Sequence, residues 1–118
     1  MHEFWCTIDC GVAVQPDNVV AQTESSIVYG LGMSLIERIN IKDGVVQESN
    51  FYDYRVPRMN EVPVMHIEVI STDNHPTGAG QMATPLVAPA ISGAVMQLTG
   101  VRLRHTPFTP ERVKAALG

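Results

Sequence analysis

The sequence predicts an α+β fold: one small domain with a mixed or antiparallel sheet, two main helices and a short C-terminal helix. Strand-like and helical segments follow one another in the order β-α-β-β-β-α-β-α, with no internal repeat. Of the 118 residues, 45% are hydrophobic and 17% are charged, which is the balance of a globular chain. No linker or shift in composition divides the chain, so a single domain is expected.

The first predicted strand covers residues 4–14, FWCTIDCGVAV, which are rich in β-branched and aromatic side chains and contain a bend at Gly11. A helix is predicted over residues 18–36, because apolar residues recur there at helical spacing: Val20, Ile27, Leu31 and Leu35. Gly30 and Gly32 inside it would each weaken a helix by about 1 kcal/mol relative to alanine. Something is therefore expected to pack closely against them, either another segment or a ligand.

The middle of the chain predicts a hairpin followed by a long irregular stretch. Asp43-Gly44 is typical of a two-residue turn and predicts a hairpin over residues 39–47. Residues 51–63, FYDYRVPRMNEVP, contain two prolines and three aromatic rings, so they are expected to form a loop laid across the surface. Alternating apolar and polar residues then predict a strand over residues 64–70.

The stretch around which the chain is organised is a glycine loop, GAGQ at residues 78–81, that leads into an apolar helix. Gly78 and Gly80 permit backbone angles closed to other residues and let another molecule approach the main chain. A loop opening onto a helix N-terminus favours anionic or polar ligands. A corner that only packs is an equally good explanation of this pattern.

The helix that follows contains Pro89, which cannot donate a hydrogen bond to residue 85. The regular helix is therefore expected to begin near Ala88 or Pro89 and to end at Gly100, with a packed face formed by Ile91, Val95 and Leu98. A short strand is predicted over residues 101–104, and a last helix is predicted after a cap at Thr109.

Composition excludes several classes of function. The net charge of −4, with no basic stripe, argues against nucleic acid as a partner. No apolar run approaches the roughly 18 residues of a membrane span, and no signal peptide is expected, because Met1-His2-Glu3-Phe4 has neither a basic nor an apolar region. Cys6 and Cys10 would lie roughly 13 Å apart on one face of a strand, too far for a disulfide. Reduced thiols and a cytoplasmic location are therefore expected, or a periplasmic one if a longer parent protein carries a signal.

Spacing alone indicates no catalytic chemistry. There is no nucleophile elbow, phosphate-binding lysine loop or zinc-type spacing, and no metal site is predicted. Asp9 could be catalytic, but an aspartate at a strand end more often ties down a neighbouring turn. Surface or satisfied positions are expected for the four histidines: His2, His66, His75 and His105.

Four sequence blocks give a more specific indication when taken together. They resemble the C-terminal end of the molybdopterin-binding subunit of the xanthine dehydrogenase/aldehyde oxidase family, most closely its isoquinoline 1-oxidoreductase beta-subunit type. The blocks are IDCGVAVQPD at 8–17, AQTESSIVYGL at 21–31, NFYDYRVPRM at 50–59 and GAGQMATPLVAPA at 78–90.

The resemblance implies a molybdenum hydroxylase, which oxidises an aldehyde or a carbon beside a ring nitrogen with water as the oxygen source. It implies a molybdopterin cofactor, in the cytosine dinucleotide form, or no cofactor in the isolated chain. By position, Gln22 would hydrogen-bond the pterin, and Gly78, Ala79 and Gly80 would reach the molybdenum ligands. Gln81 stands where the family has a glutamate base, and an amide cannot take up that proton.

The resemblance also implies that residues 1–118 are a C-terminal fragment of a molybdopterin-binding domain, inactive alone. Its partners would be the remainder of that subunit and an iron–sulfur subunit. The alternative is a catalytically silent domain derived from this family that associates with itself. In either case a homo-oligomer is expected for the isolated chain, because exposed apolar surface favours association with another copy.

Overall fold

The structure is a computed structural model that describes residues 1–118. Its elements are β1 (Glu3–Ile8), α1 (Pro16–Leu35), β2 (Ile41–Lys42), β3 (Val45–Val46), a 3₁₀ turn (Met59–Glu61), β4 (Val64–Val69), α2 (Thr84–Thr99) and α3 (Pro110–Leu117). The α+β class is confirmed. The strands form two separate pairs, one parallel and one antiparallel.

The parallel pair joins β1 to β4, in register from Glu3 opposite Val64 to Ile8 opposite Val69. Side chains alternate between the two faces of a strand, so one face packs towards the helices and the other is open. The packed face carries Phe4, Cys6, Met65 and Ile67. Trp5 on the open face is 67% exposed. The helices therefore cover only one face of this sheet.

The core lies where α1 crosses α2. It consists of Ile27, Leu31, Ala83 and Val87. The surrounding buried positions on α1 are small or hydroxylated: Thr23, Ser26, Gly30 and Ser34. The hydroxyl groups donate to the carbonyl four residues earlier in the helix, so they are buried without an unmet hydrogen bond.

The helical glycines of α1 are covered by other segments of the chain. A Cβ at Gly30 would lie 2.5 Å from Cγ2 of Val87 and 2.8 Å from the carbonyl oxygen of Thr84. A Cβ at Gly32 would collide with the carboxylate of Glu37. Of the two explanations left open by the sequence, close packing by another segment is the one that the structure shows.

The predicted hairpin is confirmed, and its turn has positive φ at Asp43 (51°) and Gly44 (78°). It belongs to residues 37–61, which we call the carboxylate-bound segment because four acidic side chains fasten it. Glu37 accepts from the Tyr54 hydroxyl at 2.7 Å. Glu48 accepts from the Asn40 amides.

The other two carboxylates of this segment close tight turns. Asp53 accepts from the backbone N–H groups of Ser49 and Asn50, and these bonds lower its pKa. Glu61 accepts from the backbone N–H of Arg58, which, with the charge of Arg55, lowers the pKa of Glu61. Each of these turns therefore depends on an ionised acid.

The first strand ends at Ile8, earlier than its sequence predicts. Beyond it, Asp9 accepts from the Gly11 N–H at 2.9 Å and from the Thr72 hydroxyl at 2.9 Å, which confirms its expected role in fastening a turn. Gly11 has a φ of 74°, and a Cβ there would collide with the His75 carbonyl. Both cysteines are free: Cys10 is buried beyond the strand, and burial raises the pKa of Cys6.

Three predictions about the C-terminal half are wrong. The helix α2 begins at Thr84, four residues before Ala88, and accommodates Pro89 inside it. Leu98 is 86% exposed and does not belong to a packed face. Residues 101–104 form no strand, because their backbone pairs with no other strand; Leu103 is held instead by the Ser92 hydroxyl, which donates to its carbonyl at 2.7 Å.

Both predicted ends in this half are confirmed. Gly100 closes α2 in the left-handed conformation, with a φ of 76°. The Thr109 hydroxyl accepts from the Arg112 N–H and caps α3. None of the helices is long and apolar enough to cross a membrane.

Candidate functional site

The loop at residues 78–81 is fastened to α1 through a single carbonyl group. The Gly80 carbonyl accepts from Gln22 Nε2 at 2.7 Å and from Ser26 Oγ at 2.8 Å. Gln22 and the glycine loop, both predicted as site residues, are thus in direct contact although 58 positions separate Gln22 from Gly80.

Ser26 is the residue at this junction that the sequence does not indicate. Its hydroxyl lies within hydrogen-bonding distance of two carbonyls, those of Gln22 and Gly80, and its own carbonyl accepts from the Thr84 hydroxyl at 3.1 Å. The only available signal was its position one helical turn after Gln22, which places both side chains on the same face. Ser26 therefore joins α1, the loop and the start of α2.

The outer side of the loop is free of the chain's own atoms. Nothing lies within 4 Å of the position that a Cβ would take at Gly78 or Gly80. Neither glycine has a positive φ, so neither uses the left-handed backbone angles that glycine permits. The backbone N–H groups of residues 78–81 donate no hydrogen bond within the chain. The loop thus carries a row of N–H groups that have no partner within the chain.

Gln81, the last residue of this row, lines a cleft of about 430 Å³. Its other walls combine small or polar residues, among them Gly30, Ser34, Thr84 and Thr106, with apolar ones such as Met33. The amide of Gln81 makes no hydrogen bond within the chain, whereas the Ser34 hydroxyl is occupied by the Gly30 carbonyl. Gln81 therefore supplies the amide donor and acceptor available at this cleft.

The cleft contains no group that could act as a base. No carboxylate or histidine lines it, and an amide does not ionise in the ordinary pH range. His66 lies elsewhere, stacked on Trp5 and paired with Glu3. No group of three potential ligands among His, Cys, Asp and Glu is placed to hold a metal ion. The arrangement can bind and orient a polar group but cannot abstract a proton.

The comparison with protein families decides what kind of domain this is. Residues 1–63, which include all of α1, match the molybdopterin cofactor-binding domain. The chain belongs to this molybdopterin-binding family. Gln22 and Ser26 lie within the matched range, and the loop that they hold comes after it.

Relatives of this molybdopterin-binding domain are much longer proteins. The chain is 41% identical over 110 residues to the beta subunit of isoquinoline 1-oxidoreductase from Brevundimonas diminuta, covering 93% of this chain and 14% of that protein. It is 32% identical over 113 residues to the molybdenum-binding subunit of xanthine dehydrogenase from Escherichia coli O157:H7, covering 89% and 15%. The chain thus spans less than a sixth of these relatives.

The fold agrees with this membership. Quinoline 2-oxidoreductase from Pseudomonas putida 86 superimposes with a TM-score of 0.85 at 26% identity, over 98% of this chain and 16% of that one. The resemblance seen in the four sequence blocks is therefore confirmed at the level of family and fold.

Proposed function

We propose that this domain forms part of the molybdopterin site of a molybdenum hydroxylase, an oxidoreductase acting on an aldehyde or an N-heterocycle. The observation that carries the proposal is the row of free N–H groups at residues 78–81, fastened to Gln22 through Gly80. Such donors fit a polar, anionic cofactor. When bound, the cofactor, proposed in its cytosine dinucleotide form, would supply the redox chemistry.

In this proposal the residues of the junction have distinct roles. Gly78, Ala79 and Gly80 would approach the cofactor through their main chain. Gln22 would orient the loop with Nε2 and keep its Oε1, which accepts nothing within the chain, for the cofactor. Gln81 would hold a ligand by hydrogen bonds without accepting its proton. A carboxylate at this position would act as a general base and raise the rate of substrate oxidation about 10²- to 10⁴-fold.

We further propose that the isolated chain is inactive and functions with the remainder of a longer molybdopterin-binding polypeptide and an iron–sulfur subunit. The parallel pair of β1 and β4 supports this, because each strand keeps an open edge and parallel pairs normally belong to larger, covered sheets. The free thiols of Cys6 and Cys10 favour the cytoplasm as the location.

A domain replacement tests the cofactor role. The 118-residue chain takes the place of the matching part of the isoquinoline 1-oxidoreductase beta chain, and this hybrid is co-expressed with the rest of that enzyme. We expect the hybrid to retain bound pterin, measured by fluorescence after oxidation, and the bare chain to retain almost none. Gln22→Ala should lower the pterin content of the hybrid about tenfold, equivalent to 1.4 kcal/mol of binding. Gln97→Ala, at an exposed glutamine on α2, is the matched control.

Activity then addresses Gln81 separately. Gln81→Glu in the loaded hybrid should raise isoquinoline turnover, while the same change in the bare chain should give no activity. Equal turnover of the hybrid with Gln81 and with glutamate would refute the role assigned to this position. A hybrid that folds but binds no pterin would refute the cofactor proposal itself.

A second candidate function is a catalytically silent domain that associates with itself. It is favoured by large apolar side chains on the surface, among them Val14 (91% exposed), Leu98 (86%) and Phe51 (84%). We expect a dimer or larger species of the bare chain in sedimentation velocity. A monomer at about 50 µM, far above the concentrations at which stable dimers dissociate, would refute self-association.

A further inference from the structure

The C-terminal part of the chain has a charge opposite to that of the whole. Four of the eight basic residues lie between Arg102 and Lys114, where Glu111 is the only acid, although the net charge of the chain is −4. The two ion pairs of the structure, Arg55 with Glu61 and His66 with Glu3, are elsewhere. The cationic side chains of this region are therefore not neutralised by the chain itself.

Three of these arginines surround one cavity. Arg102, Arg104 and Arg112 line a cleft of about 540 Å³ between residues 102–108 and α3, which we call the arginine cleft. Half of its ten lining residues are hydrophobic, including Leu103, Phe108 and Val113, and none is acidic. Leu103 and Phe108 are each only 8% exposed. The cleft thus combines cationic groups with an apolar wall.

The walls of the arginine cleft are held in place from within the chain. The guanidinium of Arg112 donates to the carbonyls of Thr106 and Pro107. Ser92 fixes Leu103 through its carbonyl, and the Phe108 N–H donates to the Ser34 carbonyl at 2.6 Å. By contrast, the guanidinium groups of Arg102 and Arg104 make no hydrogen bond within the chain and are exposed. They are free to bind an external group.

We propose that the arginine cleft binds a small organic anion: a phosphate or carboxylate group attached to an apolar body. Guanidinium groups bind either oxyanion through paired hydrogen bonds, and Leu103, Phe108 and Val113 would receive the apolar body. The volume lies within the range of roughly 300–1,000 Å³ found for small-molecule sites. Thr106 lines both this cleft and the Gln81 cleft, so the two sites are neighbours.

Calorimetric titration of the 118-residue chain with four probes tests whether a ligand needs both an anionic group and an apolar body. Phenyl phosphate and benzoate each carry an anion on a ring, inorganic phosphate lacks the ring, and phenol lacks the charge. We expect phenyl phosphate or benzoate to bind about tenfold more tightly than inorganic phosphate, with no binding of phenol. Whichever ring anion binds more tightly identifies phosphate or carboxylate as the preferred group.

Paired substitutions locate the site. The double variant Arg102→Gln/Arg104→Gln should weaken binding of the preferred probe about tenfold or more. Arg38→Gln/Lys42→Gln removes the same charge at exposed positions outside the cleft and should change affinity less than about twofold. Circular dichroism checks that both variants are folded.

Three outcomes would overturn the proposal: no binding of either ring anion, phenol binding as tightly as phenyl phosphate, or equal losses in the two double variants. Inorganic phosphate binding as tightly as the ring anions would refute the role of the apolar wall. No molybdopterin is present in these titrations. Their failure would therefore leave the proposed cofactor function untouched.

Discussion

Two regions of this molecule are held together by different physical means. At the crossing of α1 and α2, neutral hydroxyls and an amide donate to backbone carbonyls around a buried apolar cluster. In the carboxylate-bound segment, residues 37–61, ionised acids at the surface accept from backbone and side-chain donors. The first region depends on neutral donors around a buried cluster, and the second depends on charge.

This difference suits the two regions to different roles. Buried apolar contacts and backbone hydrogen bonds do not respond to pH in the range where proteins are stable. A loop that must meet a cofactor at a fixed position gains from an anchor of this kind, and Gly80 has one in Gln22 and Ser26. The carboxylate-bound segment, whose Asp53 and Glu61 are exposed, is expected to loosen at low pH without moving that loop.

The largest expected effect is a loss of stability when the core of the helix crossing is emptied. Ile27 is fully buried between Leu31 and Val87. Ile27→Ala removes that packing and leaves a cavity, so we expect the free energy of unfolding to fall by about 2–5 kcal/mol. Urea unfolding followed by circular dichroism measures the loss.

The matched control is Leu98→Ala on α2, because Leu98 is 86% exposed and touches no core residue. We expect it to change the free energy of unfolding by less than about 0.5 kcal/mol. If the two variants lost similar stability, the helix crossing would not be the centre of the fold.

A smaller loss is expected from adding one methyl group where the helices meet. In Gly30→Ala the new Cβ would lie 2.8 Å from the Thr84 carbonyl oxygen, which belongs to the backbone and cannot rotate away. We expect the free energy of unfolding to fall by about 1–3 kcal/mol.

The same substitution in α2 should have the opposite sign. At Gly93 no atom lies within 4 Å of a new Cβ. Gly93→Ala should therefore raise the free energy of unfolding by about 0.5–1 kcal/mol through the greater helix propensity of alanine. If both variants were destabilised, alanine at position 30 would be disfavoured for a reason other than contact with α2.

Local signals were enough to predict the elements whose causes are local. The Asp43-Gly44 turn, the Thr109 cap and the Gly100 stop each depend on a few adjacent residues, and all three are confirmed. The strand at residues 101–104 failed because alternation does not say whether a partner strand is present. The Ser92 hydroxyl holds this segment instead, through the Leu103 carbonyl.

The site was only partly accessible from the sequence for the same reason. Gln22 and the glycine loop came from a resemblance, and their contact through Gly80 is a tertiary fact. Ser26 has no sequence signal of its own, because a serine within a helix usually bonds only to its own turn. The arginine cleft likewise forms only when residues 102–108 fold against α3.

The smallest expected effect is a loss of stabilisation at low pH that is confined to the carboxylate-bound segment. Hydrogen bonds from Asn40 lower the pKa of Glu48, and those from Ser49 and Asn50 lower the pKa of Asp53. Since these folded-state pKa values are below the unfolded ones, the stabilisation is complete above the unfolded pKa of about 4. It is lost as the pH falls through the folded pKa.

Amide proton chemical shifts, followed by NMR from pH 7 to 2, should show this loss residue by residue. We expect the amides of Asn40, Ser49 and Asn50 to move with midpoints below about 4, because their acceptors become protonated. The amide of Phe108, which donates to the Ser34 carbonyl, should stay unchanged over the same range. Asp53→Asn should abolish the titration of the Ser49 and Asn50 amides and leave that of Asn40. If Phe108 titrated together with them, the two regions would unfold as one unit, and the independence of the cofactor-facing loop from the carboxylate-bound segment would be wrong.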